Sequence, residues 1–204
     1  MKTISKYSAV FLLFLVCSCI VVSYHPLYTE KDLFANDLLL GSWLEDDSTV
    51  WQFSFDFKGE AVPENVDSTA YLLRLSGKGE TELSASSFKV HLIKLEGQYF
   101  LDFFLQEYRS SADNGPDFFD LHVVPVHSFA CLDLTGEQAV IRWFDPGWLE
   151  DLAKKGELDI KYEVEDGNYL LTASTEELQK FVVKYSKDPE ALDDGLFASL
   201  KKLE

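Results

Sequence analysis

The chain has 204 residues, of which 18 are basic and 35 acidic, so its formal net charge is −17 at neutral pH. A charge of that sign repels polyanions, and no basic stripe runs along the sequence, which sets nucleic acid aside as a partner. The length suits one domain with a substantial core, and the dispersed acidic residues read as a solvated surface.

At the start, Lys2 and Lys6 precede the apolar run Ala9 to Val16, and Cys17-Ser18-Cys19 follows. A basic beginning, an apolar core of about 7–15 residues and a small residue before the cleavage point are the parts of a secretory signal. A spanning helix needs roughly 20 apolar residues, more than this run supplies, although an uncleaved anchor continuing through Ile20, Val21 and Val22 is the alternative. The segment Val16-Cys17-Ser18-Cys19 resembles the lipobox of bacterial lipoproteins, with an aliphatic residue three positions before the modified cysteine and a small one immediately before it. Cys17 fits that pattern poorly, because Val16 stands where Gly, Ala or Ser belongs. The resemblance implies a signal peptide at 1–18, lipid attachment at Cys19 and a bacterial cell-envelope location. In the sorting pattern that accompanies it, an aspartate after the cysteine means retention in the inner membrane, so Ile20 points to the outer membrane. Removal of Lys2 and Lys6 leaves 16 basic residues against 35 acidic ones. With Cys17 cleaved and Cys19 lipidated, Cys131 has no partner for a disulfide; between Ala130 and Leu132 it reads as a small buried residue rather than a nucleophile.

Residues 19–36 are expected to form a lipid tether and 37–204 a single β-rich domain. Leu38-Leu39-Leu40-Gly41-Ser42-Trp43 opens that domain. Between Val50 and Phe57, Trp51, Phe53, Phe55 and Phe57 alternate with polar residues, the period of a strand with one buried face. Lys58 to Thr69 reads as a loop, and Tyr71, Leu73 and Leu75 continue the alternation. Ser87 to Leu95 and Gln98 to Leu105 flank Glu96-Gly97 as a hairpin. Tyr99 to Leu105 is apolar on nearly both faces, which requires a covering element on one side or a cavity. Arg109 to Pro116 is an exposed rim loop. Leu121 to Leu134 is extended, with Pro125 at an edge or bulge, and Ala139 to Phe144 is a further strand. Asp145 caps a short helix with Pro146 at its first position and Lys154, Lys155 and Gly156 at its end. Leu158 to Val164 alternates and joins Tyr169-Leu170-Leu171 through Asp166-Gly167. Ser174-Thr175-Glu176-Glu177 is a capping box opening an amphipathic helix with Leu178, Phe181, Val182 and Tyr185 on one face. Asp188-Pro189 opens another helical turn, and Leu196 to Leu203 is a last strand or tail.

Motifs for chemistry are sparse. His122 and His127, five apart on a strand, fall on opposite faces unless Pro125 makes a bulge, and His91 and His25 lie apart from them, so no metal and no other cofactor is expected. His122 with Asp117 and Asp120 has the make-up of a base and its orienting acid, but acidic neighbours are frequent in this chain. Neither a Gly-x-Ser-x-Gly elbow, a phosphate-cradling loop nor a His-Glu-x-x-His helix is present, and a non-enzymatic protein is expected.

Aromatic residues carry the functional reading: 16 Phe, 9 Tyr and 4 Trp make up 14% of the chain, concentrated in the strands. They suit a packed core or the lining of an apolar cavity inside a closed eight-stranded barrel. Gly41-Ser42-Trp43 ahead of an aromatic strand resembles the Gly-x-Trp opening of lipocalin-type barrels, a layout shared by uncharacterised bacterial lipoproteins. That resemblance implies an antiparallel lipocalin-like barrel or strongly curved sandwich with two or three peripheral helices, and assigns Arg142 to the arginine that covers the tryptophan. The expected role is binding an apolar small molecule or lipid, with Trp51, Phe53, Tyr99 and Phe103 lining the pocket. The alternative is a structural lipoprotein that docks on an envelope protein.

Overall fold

The computed structural model describes residues 20–46, 49–55, 67–77, 86–107 and 124–203. The signal segment, Cys19, the rim loop 109–116, Asp117, Asp120 and His122 lie outside these residues.

In chain order the strands are β1 (Val22–Ser23), β2 (Gly41–Glu45), β3 (Thr49–Phe55), β4 (Ala70–Gly77), β5 (Ser86–Leu95), β6 (Gln98–Glu107), β7 (His127–Leu134), β8 (Gln138–Trp143), β9 (Tyr162–Glu165), β10 (Asn168–Leu171) and β11 (Phe197–Lys202). The two α-helices are α1 (Pro146–Lys155) and α2 (Thr175–Tyr185). Eight strands pair antiparallel in the order β6-β5-β4-β3-β2-β11-β8-β7, and pairing of β6 with β7 closes the ring. The protein is therefore mainly β, built on a closed eight-stranded antiparallel barrel. Closure leaves those eight strands without a free edge.

Two neighbouring strands form because their hydrophobic period is two and their turn suits a two-residue connection. Glu96 and Gly97 both take positive φ, 46° and 81°, and so do Asp166 and Gly167, at 50° and 81°. Left-handed conformation at both turn positions matches the twist of a hairpin, and glycine adopts it without a Cβ clash. The first turn fixes β5 against β6 from Leu95↔Gln98 to Lys89↔Phe104.

β6 explains how one stretch can be apolar on both faces. Tyr99, Leu101 and Phe103 face the barrel interior, while Phe100 belongs to a second buried cluster outside the wall with Phe129, Phe144, Leu149, Leu178, Phe181 and Val182. That outer cluster is where α1 and α2 dock. Asp145 accepts from the backbone N–H groups of Gly147 and Trp148 to start α1, and left-handed Gly156 ends it. Ser174 and Glu177 complete the capping box of α2, whose Leu178, Phe181 and Val182 are its buried face. Between the helices and β11, Gly195 lies so close to Trp143 that a Cβ there would meet the Trp143 carbonyl oxygen at 2.2 Å. The missing side chain lets the chain return alongside β8, where Leu196 accepts from the Trp143 N–H.

Several expectations are corrected. The stretch 20–36 is packed into the domain wherever it is described, because its apolar residues have a cluster to fill: Val21 and Leu27 are buried in the outer core. β1 pairs antiparallel with β7 and parallel with β10, adding β1-β10-β9 to the barrel wall. Of the two alternatives for 196–203 the strand forms, and β11 is a full barrel stave bonded to β2 on one side and β8 on the other. Alternation at 158–164 yields strand only from Tyr162. Pro125 precedes β7 instead of interrupting it.

Candidate functional site

Strand directions give the barrel two unlike ends. β2, β4, β6 and β8 finish where β3, β5, β7 and β11 begin; Glu45, Thr49, Gly77, Ser86, His127, Trp143 and Phe197 mark this end, termed the mouth. Gly41, Phe55, Leu95, Gln98, Leu134, Gln138 and Lys202 mark the base.

The base is sealed. A 3-10 turn at Asp37–Leu39 lies against it, and Trp43 donates its indole N–H to the Leu39 carbonyl at 2.9 Å. The Tyr71 hydroxyl accepts from the Asn36 N–H at 2.9 Å and donates to the Asn36 carbonyl at 3.2 Å. Burial pushes the Tyr71 phenol above its ordinary value, partly offset by its bond to Asn36. Lys202 Nζ sits 5.0 Å from the Trp43 ring centre and donates to the Leu38 carbonyl. The cation over the tryptophan is thus Lys202, not Arg142. Arg142 points to the other face of β8, where it pairs with Asp133, because Trp143 and Ile141 take the inward positions. Leu39, Trp43 and Tyr71 are all 0% exposed.

Above this plug the interior turns aromatic. Trp51 lies 6.4 Å from Phe53 and 6.4 Å from Trp143, and Phe103 stacks on Trp143 at 5.3 Å, ring centre to ring centre. Small inward residues on the adjoining staves, Ala130, Ala139 and Ala198, leave room for these rings. Toward the mouth, where the connections 47–48, 78–85 and 108–123 lie outside the described residues, Trp51, Phe103 and Trp143 are buried with 7%, 6% and 5% exposure, and Leu105 on the same strand as Phe103 reaches 38%. Leu75 and Phe88 are half-buried against the same cluster. Among the described residues, one carboxylate meets this aromatic group. Glu45, two residues after inward Trp43, accepts the Trp51 indole N–H at 2.8 Å and so fixes that ring.

Of the four residues expected to line a pocket, Trp51, Phe53 and Phe103 converge, and Trp143 completes their group. Tyr99 stands apart at the base, where it meets Phe34 at 5.5 Å and the Lys94 ammonium at 5.3 Å. The sequence signal for Trp143 was its inward period with Ile141 and Ala139. Glu45 gave no such signal, because its strand has only one aromatic to set the phase.

A second constellation lies on the outer face. Asp102 is 0% exposed. Its two carboxylate oxygens are engaged by the Leu27 N–H at 2.8 Å and by His127 Nδ1 at 2.7 Å. Phe104 packs on the His127 ring, and His91, also buried, has Nδ1 3.1 Å from the Thr69 carbonyl and its ring 4.3 Å from that of Tyr28. Burial lowers the His91 pKa, with Lys89 adding to the effect, and burial next to Asp102 raises that of Tyr28. The contacts made by Asp102 clamp the 20–32 segment against β6. Thr175 donates to the Pro26 carbonyl, and Gln179 to the Leu27 carbonyl and to Asp32, completing that clamp from α2. Burial alone would raise the Asp32 pKa, but hydrogen bonds from Thr29 and Gln179 hold it below the usual value.

Cys131, on the outer face of β7, is buried, and desolvation pushes its thiol up to about 12 despite nearby Arg142, which keeps it protonated. Between α1 and the 3-10 turn at Pro189–Ala191 runs an acidic groove lined by Asp145, Glu150, Asp151, Glu190, Asp193 and Asp194, with Trp148 among them. Among the described residues, no three His, Cys, Asp or Glu are grouped so as to hold a metal ion, and no helix is long and apolar enough to cross a membrane. In comparisons with known proteins, no family model, no curated protein and no solved structure matches this chain.

Proposed function

We propose that this chain is a membrane-tethered envelope protein that takes an apolar small molecule or the acyl part of a lipid into the mouth of its barrel. One observation carries the reading: the aromatic group Trp51, Phe53, Phe103 and Trp143 gathers inside the closed barrel above a sealed base. Apolar lining with few polar groups is the usual make-up of a small-molecule pocket, and Glu45 is the inward polar group that would orient an amphiphile. The basic start, short apolar run and Cys19 support tethering through a lipid at the cell envelope, with the outer membrane favoured by Ile20. Binding without chemical conversion fits the absence of catalytic motifs in the sequence.

The test is native mass spectrometry of the full chain extracted gently from membranes, followed by titration with the neutral apolar fluorophore phenylnaphthylamine. Bound apolar mass that leaves on denaturation supports the reading. The pair Trp51→Ala and Phe103→Ala removes two contact rings and should weaken dye binding by about 10- to 100-fold, the equivalent of roughly 1.4–2.8 kcal/mol. Unchanged affinity in the folded double variant would exclude the mouth as the binding site.

The acidic groove beside α1 favours a second reading, docking on a basic envelope protein. A clean apoprotein mass together with salt-sensitive capture of such a partner, abolished by Asp193→Lys and Asp194→Lys, would move the function there.

A further inference from the structure

We infer that the outer edge of β9 is a docking strip for an extended segment of a basic protein, which adds to the sheet as a further strand with lysine or arginine at alternate positions. The inference stands apart from what the barrel holds and from how the chain is tethered. The eight barrel strands close on one another, and β1 lies between β7 and β10, so β9 is the strand at which the sheet stops. Among the described residues its one strand partner is β10. Thr172 donates its N–H to the Lys161 carbonyl at 2.9 Å, and this fixes the phase of the hairpin. Residues of an antiparallel strand alternate in the direction of their backbone groups, so Lys161, Glu163 and Glu165 turn theirs to β10, and Tyr162 and Val164 turn theirs to the open side. A row of unpaired N–H and C=O groups is a template for another strand.

Side chains decide which strand that edge accepts. Tyr162 packs on Tyr169 with ring centres 5.7 Å apart, against the outer cluster, and Val164 on the same face is 46% exposed. Glu163 and Glu165 stand exposed on the other face and Asp166 follows in the turn, while Lys161 is the one cation between 161 and 166. A strand laid beside β9 meets these carboxylates at every second position, where opposite charges attract and like charges repel. In a two-fold pairing of β9 with a second copy, the alignment of Tyr162 with Val164 engages every outward group and sets the two Glu163 side chains face to face, which disfavours self-association. The glutamates thus keep acidic strands, this protein's own among them, off the edge and leave it open to a basic one. Main-chain hydrogen bonds supply the affinity in such strand addition, and alternate side chains supply the choice of partner. The strip is separate from the groove beside α1, which none of residues 161–166 lines.

The experiment titrates the full chain in mild detergent with the synthetic peptide acetyl-Lys-Thr-Lys-Val-Lys-Thr-Lys-amide and reads hydrogen exchange at individual amides. Exchange at Tyr162 and Val164 should slow severalfold with this peptide and stay unchanged with a counterpart that carries glutamate for lysine. Val164→Pro removes an outward N–H without taking a bond from the β9–β10 ladder, and it should weaken binding by about tenfold or more. Glu163→Lys with Glu165→Lys should transfer the preference to the glutamate peptide, which a loss of folding would not do. No slowing at either amide with millimolar lysine peptide, or the same slowing with both peptides, overturns the proposal. Binding that survives in both edge variants but is lost in Asp193→Lys with Asp194→Lys places the peptide in the groove beside α1 and overturns it as well. Protection of the two amides that rises with protein concentration in the absence of peptide, together with a doubled mass, makes a second copy the occupant and overturns the assignment to a basic partner.

Discussion

The inner and outer faces of the β5–β6–β7 wall are both buried, yet they are held by different physics. Inside, Val90, Leu92, Leu101, Phe103, Ala130 and Leu132 contribute shape and apolar area, and the indole N–H groups of Trp43 and Trp51 are each answered by one acceptor. Outside, Ile93, Phe100 and Phe129 share their face with Asp102, His91 and His127, whose hydrogen bonds single out particular backbone groups of the 20–32 segment and of Thr69. Apolar packing is non-directional and tolerates an exchange of occupants. Buried polar contacts are costly to leave unmade and admit one arrangement. The inner face thus tolerates changes of apolar side chain, whereas the outer face fixes where the 20–32 segment lies.

The comparison breaks most visibly at the base. Trp43→Ala should destabilise the protein by about 3–5 kcal/mol in denaturant unfolding, the range for removing a fully buried large aromatic. Phe103→Ala should cost less, because a smaller ring that keeps 6% exposure leaves a space into which neighbours and water relax; equal losses would mean that the two levels are packed alike.

A smaller effect is expected outside. Asp102→Asn keeps the size of the side chain but gives up the charged acceptor shared by the Leu27 N–H and His127, for a loss of about 2 kcal/mol. Hydrogen exchange should quicken at Leu27 while the amides of β2 and β3 stay protected. Uniform loss of protection would show that the two faces unfold as one unit.

The smallest expected effect concerns acid. His91 has a folded pKa below its unfolded value of about 6.5, because burial disfavours its charged form, with Lys89 reinforcing the shift and Asp102 and Asp67 opposing it. Below that unfolded value the unfolded chain binds the proton more readily than the fold does. The contribution is therefore fully present above about pH 6.5 and declines as pH falls toward the depressed folded value. Midpoints of denaturant unfolding at pH 7.5 and 5.5 should differ in that direction, and His91→Gln should reduce the difference. An unaltered difference would place the acid sensitivity in other groups.

Local rules carried much of the architecture. Period-two aromatics placed β3, β4 and β6, the turn pairs Glu96-Gly97 and Asp166-Gly167 placed two hairpins, and Asp145 and Ser174 marked the starts of both α-helices. These features depend on contacts within a few residues, so composition and spacing are enough to read them. That Trp51, Phe53 and Phe103 turn to the barrel interior was legible for the same reason, since alternation alone puts them on one face.

Only the tertiary structure decided which rings share a level. Tyr99 has the phase of Phe103 yet lies at the other end of β6, and Trp143 joins the group because β8 returns antiparallel beside β7. It also decided that Lys202 covers Trp43, that β11 closes the ring between β2 and β8, and that Asp102 meets a backbone N–H 75 residues earlier. Such partners are fixed by barrel closure and strand register, and neither is encoded in the neighbourhood of any one residue.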